Sequence, residues 1–376
     1  MGYAVKGWIG NCLWPVYLPC GCPKCGRKNW EICDNKMIRC KKIIIITACS
    51  ASLYCQITGS VSNVGTTAAS FLDIGIGARS LSMGGAFVAV ADDPTALYWN
   101  PAGMVNIGRP TAHFFHSPWL ADIRFNHSAL VVPFDRSITF GFFITSVTMD
   151  EMQVRTVKIP EGTGEYFSVS NVALAGSFAR RLTDRFSFGF NVKYIQEKIW
   201  HMNAGGLAVD LGSLFVTKNS GLRIGMSISN FGGKISMEGY DTEVDYDVDE
   251  TMYGNNDKID AYLNAMDWPL PLVFRAGVSK DVIQSEIHKL TLAGDAVHPN
   301  NNVEYLNLGF EYIFRGILAI RGGQAFLGME DSKQGLTFGA GLNYQIPRGP
   351  RITIDYSYRS FGVFENIAGY SLNLIF

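Results

Sequence analysis

Charge is scarce in this chain. Asp, Glu, Lys and Arg make up 17% of its 376 residues, where a soluble domain usually carries about a quarter. Long apolar runs are missing too: the longest, Ile43 to Tyr54, is about a dozen residues, short of the ~20 that a spanning helix needs. Cysteine is absent after Cys55. No GxSxG elbow, GxxxxGK[ST] loop or HExxH pair occurs, and the six histidines show no ligand spacing. His113 and His116, three apart, fall on opposite faces of a strand. These absences argue against a helical membrane protein, a coiled coil and an enzyme, and no cofactor or metal is expected. The net charge of -1 conceals an asymmetry. Residues 1–60 hold 8 Lys/Arg against 2 Asp/Glu, leaving 24 against 31 in the remainder. A nucleic-acid partner is therefore not expected. What the chain has in place of charge is glycine, at 40 residues, and aromatics, at 12%.

The amino terminus joins two unlike pieces. Arg39, Lys41 and Lys42 form a basic stretch, Ile43 to Tyr54 an apolar core, and small residues follow. Residues 37–60 thus read as a secretory signal peptide, cleaved between Ala51 and Ser60. Ile46-Thr47-Ala48-Cys49 also resembles a lipobox, although the apolar stretch before it is short. Residues 1–36 precede an export signal and read as an upstream extension, with Met37 the true start. The rival reading is zinc binding through Cys20, Cys22 and Cys25 with Cys33 and Cys40, for which a second well-spaced cysteine pair is missing.

From about residue 110 the dominant signal has period two. In 185–194, Phe186, Phe188, Phe190, Val192 and Tyr194 alternate with Ser187, Gly189, Asn191 and Lys193. In 351–359, Ile352, Ile354, Tyr356 and Tyr358 oppose Thr353, Asp355, Ser357 and Arg359. One face is apolar and the other is Gly, Ser, Thr and Asn, not the Lys and Glu of a solvated sandwich. In lipid every backbone polar group needs an internal partner, so spanning strands must close on themselves. The fold class predicted is all-β: a transmembrane antiparallel barrel of about 14 strands over residues 110–376, apolar outward. Lys193, Asp210, Arg223, Arg275, Glu311, Arg321, Asp355 and Arg359 then fall on the inner face.

The turns after even-numbered segments are short and the long loops follow odd-numbered ones, which puts both termini in the periplasm of a bacterial outer membrane. The longest loop, 231–270, is acidic and reads as solvated and external; calcium is the rival reading, without EF-hand spacing. Trp119-Leu120 and Trp268-Pro269-Leu270-Pro271 read as an interfacial girdle rather than as partner contacts. Tyr370, Leu372, Leu374 and Phe376 share the apolar face of the last segment. They resemble the carboxy-terminal signal read by the barrel-assembly machinery.

Residues 61–109 precede the first strand. Gly77-Ala78-Arg79, Met83-Gly84-Gly85-Ala86-Phe87, Asp92-Asp93-Pro94 and Tyr98-Trp99-Asn100-Pro101-Ala102-Gly103 resemble the amino-terminal hatch of FadL-like outer-membrane proteins, and more narrowly the PorV/PorQ family. Met149-Asp150-Glu151-Met152, Arg180 to Arg185, Trp200-His201-Met202 and Asn255-Asn256-Asp257 extend the resemblance over nearly everything after residue 65. It implies fourteen strands with a small plug inside the barrel. Gly84, Gly85, Asp92, Asp93, Asn100, Pro101 and Ala102 are the plug positions singled out, as structural or gating residues: the glycines for tight turns, Asn100-Pro101 for a buried turn fixed by the amide. It also implies a role in type IX secretion, with the translocon and cargo proteins as partners beside outer-membrane lipid. The alternative is FadL-like uptake of long-chain fatty acids or other hydrophobic small molecules.

Overall fold

The chain divides into two units, Met1–Thr58 and Gly59–Phe376. The computed structural model describes residues 63–248, 251, 259–329, 332, 334–364 and 366–376. The upstream extension, the signal peptide, all eight cysteines and Asn255-Asn256-Asp257 lie outside the described residues.

Fourteen antiparallel strands form the wall: β1 Thr111–Pro118, β2 Arg124–Pro133, β3 Ile138–Thr148, β4 Val169–Thr183, β5 Phe186–Ile199, β6 Met202–Val216, β7 Arg223–Gly232, β8 Val273–Gln284, β9 His288–Pro299, β10 Tyr305–Phe314, β11 Leu318–Leu327, β12 Leu336–Gln345, β13 Arg351–Arg359 and β14 Ile367–Ile375. Each pairs with its neighbours in sequence, and β1 returns to β14 in the register Thr111↔Ile375 to His116↔Tyr370. The barrel is closed, so no edge strand is left with unpaired backbone groups.

The period-two pattern sorts the side chains as membrane insertion requires. Phe114, Leu130, Phe142, Val192, Leu308 and Ile354 are exposed on the outer wall, while Ser187, Asn191, Thr291, Thr337 and Ser357 are buried inside. Tyr370 is exposed on the same outer face and Leu372 and Leu374 are half-buried there; Phe376 N donates to Pro110 O at 2.9 Å. Both ends of the wall therefore lie at the end where the short turns lie; the long loops lie at the opposite, loop end.

Inside the wall runs the segment 69–107, as short helical pieces joined by turns: α1 Ala78–Ser82, α2 Ala96–Trp99, and single 3-10 turns at Ser70–Asp73 and Pro101–Asn106. Ile76, Met83, Phe87, Leu97 and Met104 are fully buried, packed with Phe115, Phe125 and Phe143 of the wall. The plug lies so close to the wall that glycine is obligatory at the contacts. A Cβ on Gly309 would sit 2.2 Å from Met83 O, and one on Gly212 2.3 Å from Asn100 Oδ1. Glycines such as these on the polar face of the strands mark where the plug lies against wall backbone.

Two expectations need correction. The loop 231–270 is not simply solvated. Ile235 bridges Trp268, a small hairpin pairs Glu243–Tyr246 with Ile259–Tyr262, and Leu270 is buried with Ile235, Phe71 and Leu72. Leu270 is therefore no girdle residue: the loop folds inward onto the start of the plug, where Ala68 N donates to Pro269 O at 3.0 Å. Trp119 also turns inward, stacking edge-on against Phe361 and lying over Arg359. An apolar surface was available to it inside the lumen, and the cation under its ring adds an attraction that lipid cannot supply.

Candidate functional site: the plugged lumen and its two cavities

The plug is tied to the wall by its own backbone and by inward-facing polar side chains. Asn100 adopts extended backbone ahead of Pro101; its Oδ1 accepts from Ala102 N at 3.2 Å, and its Nδ2 donates to Val88 O at 2.8 Å and to Ser213 O of β6 at 3.0 Å. One amide thus closes a turn inside the plug and fastens that turn to the wall. On the opposite side Asp295 Oδ2 accepts from Phe87 N and Val88 N, at 2.7 and 2.9 Å. Ala78 N donates to Ser371 Oγ at 2.8 Å, and Asn191 Nδ2 to Leu97 O at 2.6 Å. Gly84 and Gly85 both take positive φ, +67 and +76. There the chain reverses against β11, where a Cβ on Gly84 would meet the Gln324 backbone at 2.9 Å.

At the turn end the inner charges form one network. Arg79 donates to Glu311 through Nε and Nη2, both at 2.8 Å, and through Nη1 to Asp92 at 2.5 Å and Asp93 at 3.0 Å. Arg321 donates to the same Glu311 and to Asp355, each at 2.7 Å. Asp93 Oδ1 also accepts from Thr95 N at 2.9 Å, forming the turn that starts α2. Burial alone would weaken the hold of Arg79 on its proton, but Asp92, Glu311 and Asp93 outweigh it and keep the guanidinium charged well above its ordinary pKa. The cavity beside this network, about 370 Å³, is lined mostly by polar and charged residues, Arg109, Lys289 and Arg351 among them, together with Ile107, Ile313 and Ile375, and has no aromatic side chain among the described residues.

At the loop end, beyond Gly84 and Gly85, lies a second cavity of about 290 Å³ with a different lining. Tyr98, Trp99, Trp119, Tyr305 and Phe326 supply aromatic surface. Trp99 is fixed by its indole N–H donating to Ile76 O at 2.9 Å and by edge contacts with Phe87 and Tyr98. Burial pushes the Tyr98 hydroxyl up, so it stays protonated and donates to Leu72 O at 3.0 Å. The charged groups on this lining are Asp73, Arg275 and Arg359.

The eight inward charges do not meet as one cluster. Glu311, Arg321 and Asp355 do, joined by Arg79 of the plug; Lys193 pairs with Asp210 at 2.7 Å and Arg223 with Asp281 at 2.9 Å elsewhere on the wall. Of the plug positions singled out, Asp92 and Asp93 join the turn-end network, Asn100, Pro101 and Ala102 form the turn against β5 and β6, and Gly84 and Gly85 border the loop-end cavity. Nothing local in the sequence groups the aromatic residues of that cavity. Tyr98 and Trp99 are adjacent in sequence, but Trp119, Tyr305 and Phe326 come together only when the wall closes. Sequence spacing also misses the buried pair His113 and His127, whose rings lie 5.8 Å apart on neighbouring strands; His113 Nδ1 meets Asn373 Oδ1 at 2.7 Å and His127 Nδ1 meets Thr145 Oγ1 at 2.9 Å.

Solved structures share this architecture. The Ralstonia pickettii toluene transporter TbuX matches 80% of this chain and 98% of its own, at 13% identity and a TM-score of 0.51. The monoaromatic hydrocarbon channel CymD matches 81% and 98%, at 12% identity and 0.52. The Pseudomonas putida toluene transporter TodX matches 80% and 99%, at 12% and 0.52. At such identities the likeness is one of fold alone: a closed fourteen-stranded antiparallel barrel. No curated protein matches the chain in sequence. A family model does match, over residues 46–233, and the chain belongs to that family, the uncharacterised protein family UPF0164.

Proposed function

We propose that this protein is a non-enzymatic conduit of the bacterial outer membrane for hydrophobic small molecules, with its short turns and both termini in the periplasm. The observation that carries this reading is the aromatic cavity at the loop end, seated on a plug inside a barrel of the same fold as toluene and hydrocarbon transporters. Concave, mostly apolar pockets with a few placed polar groups are the usual form of a small-molecule site. The fold neighbours shift weight from export, which the PorV/PorQ resemblance puts first, to uptake. The test is uptake of radiolabelled toluene and oleate by cells carrying the protein in their outer membrane, against cells carrying an unrelated porin. Faster entry of either compound is the expected result, and rates equal to the control would overturn the reading.

A PorV/PorQ-like role in type IX secretion is the second reading. Its support is the turn-end network, which sets paired charge across that part of the lumen. Gentle solubilisation from outer membranes followed by mass spectrometry separates the two. A giant barrel translocon, or secreted proteins sharing a carboxy-terminal sorting domain, would co-purify with a shuttle. Stoichiometric hydrophobic molecules and no protein partner would mark a conduit.

A further inference from the structure

We infer that the loop-end cavity selects a compact aromatic carboxylate, whose acid group is received by Arg359. This rests on the conduit reading and names the class of molecule that its cavity takes.

Arg359 ends β13 and is 7% exposed. Its Nε and Nη2 are buried and have no hydrogen-bond partner among the described residues. Buried polar groups are satisfied in the great majority of cases, and a buried cation nearly always is. What holds Arg359 is aromatic: its Cζ lies 5.1 Å from the Trp119 ring centre and 5.7 Å from that of Phe361. Ring faces attract the cation but accept no N–H in its plane, so the fork that fits a carboxylate in two parallel bonds stays free. Both Arg359 and Trp119 line the cavity.

The other charges support the same sign. Arg275 is buried on the same lining, covered by Tyr98 and Trp99 with 5.5 Å to each ring centre, and it donates to Ser229 Oγ at 3.1 Å. Neither arginine makes an ion pair among the described residues. Asp73, the third charge, is exposed, and one of its carboxylate oxygens accepts from Asn301 Nδ2 at 2.9 Å. The lining therefore carries one positive charge in excess. Its size and surface limit the rest of the ligand. About 290 Å³ is at the small end for a ligand site, so it admits one or two rings and not a long chain. Five aromatic side chains around it favour stacking with a flat body.

The test uses the barrel in lipid nanodiscs, with empty nanodiscs subtracted, and equilibrium dialysis of radiolabelled 2-naphthoate beside its neutral isostere 2-naphthamide. The expected result is naphthoate bound roughly ten-fold more tightly, the margin that hydrogen bonds to a charged group supply. Arg359→Gln removes the margin while naphthamide still binds, and Arg359→Lys keeps part of it. Retention of naphthamide binding by Arg359→Gln shows that the variant is folded; the lysine variant supplies the comparison if it is not. Equal affinities in the wild type, an unchanged ratio in Arg359→Gln, or laurate displacing naphthoate at lower concentration would each overturn the inference. If neither naphthalene compound binds but toluene or oleate still enters cells, this inference falls and the conduit stands. If nothing binds and nothing enters, both fall.

Discussion

The two cavities of the lumen are built from the same residue, arginine, in opposite circumstances. At the turn end Arg79 and Arg321 share Glu311, and both guanidinium groups face carboxylates 2.5 to 3.0 Å away. At the loop end Arg275 and Arg359 face rings. A satisfied buried network rigidifies what it joins, here plug to wall, whereas Arg359, which faces only rings, keeps its hydrogen-bonding capacity for something that arrives. One end of the lumen therefore reads as a fastening and the other as a receiving surface. Mutations at the two ends should separate into stability effects and binding effects.

Glu311→Ala gives the largest effect. It takes from Arg79 and Arg321 the buried carboxylate they share, leaving Asp92 and Asp93 to the first and Asp355 to the second, a loss of up to about 3–5 kcal/mol, the cost of breaking a buried pair. Urea unfolding of the detergent-solubilised barrel, followed by the shift of the folded band on an unheated gel, should show the loss. Arg359→Met should cost no more than about 1 kcal/mol, the worth of its ring contacts. Equal losses in the two variants would erase the distinction between the ends. A disulfide between Ala78→Cys and Ser371→Cys sharpens it from the functional side. Residues 56–376 contain no native cysteine to interfere. If uptake needs the plug to leave the wall at its fastened end, the oxidised variant should lose uptake and regain it on reduction; unchanged uptake would place the route elsewhere.

How much of this was legible beforehand depends on whether a contact repeats. The wall repeats: alternation over some ten residues, fourteen times, predicts strands, their count and the face each side chain takes, because a one-residue slip would turn every apolar group inward. The inward position of Lys193, Asp210, Arg275, Glu311, Arg321, Asp355 and Arg359 follows from that parity, and all seven are buried. Which of them pair does not follow. Arg321 and Asp355 are 34 residues apart and meet across two strand registers, and Arg79 reaches Glu311 over 232 residues. Trp119 carried a misleading local signal, since an aromatic at a strand end suits a lipid interface as well as a lumen. The loop 231–270 misled for a similar reason. Its acidic composition describes most of its length, while its fold is set by two residues, Ile235 and Leu270, that composition averages away.

The inner glycines lie between these cases, readable as a class and not one by one. Gly323→Ala puts a Cβ 2.3 Å from Met83 C and 2.4 Å from Gly84 N, both backbone atoms that cannot rotate aside. Overpacking of this kind costs about 1–3 kcal/mol. The expected sign is a plug displaced at its Gly84-Gly85 turn, read as faster proteolysis within 77–90 while the wall stays resistant. Gly176→Ala, on the outward face of β4 and with nothing within 4 Å of its Cβ, is the control and should change nothing. If both variants behave alike, the plug does not rest on the wall at Met83.

Trp119→Leu gives the smallest effect and bears most directly on the comparison. It leaves the wall intact and removes the ring over Arg359, one of the two that hold the guanidinium in place. A cation–π contact of this kind is worth about 0.5–1 kcal/mol, more when desolvated, so stability should hardly move. Binding should move in a particular way. The flat body of an aromatic ligand loses a stacking partner, so 2-naphthoate and 2-naphthamide should weaken by the same factor, roughly three- to ten-fold for a contact of 0.5–1.5 kcal/mol. The ratio between the two, which belongs to Arg359, should stay. A change in the ratio with no change in the affinity for naphthamide would mean that Trp119 acts by positioning the arginine alone, and that the aromatic surface of the cavity is a support for charge and not itself a receiving surface.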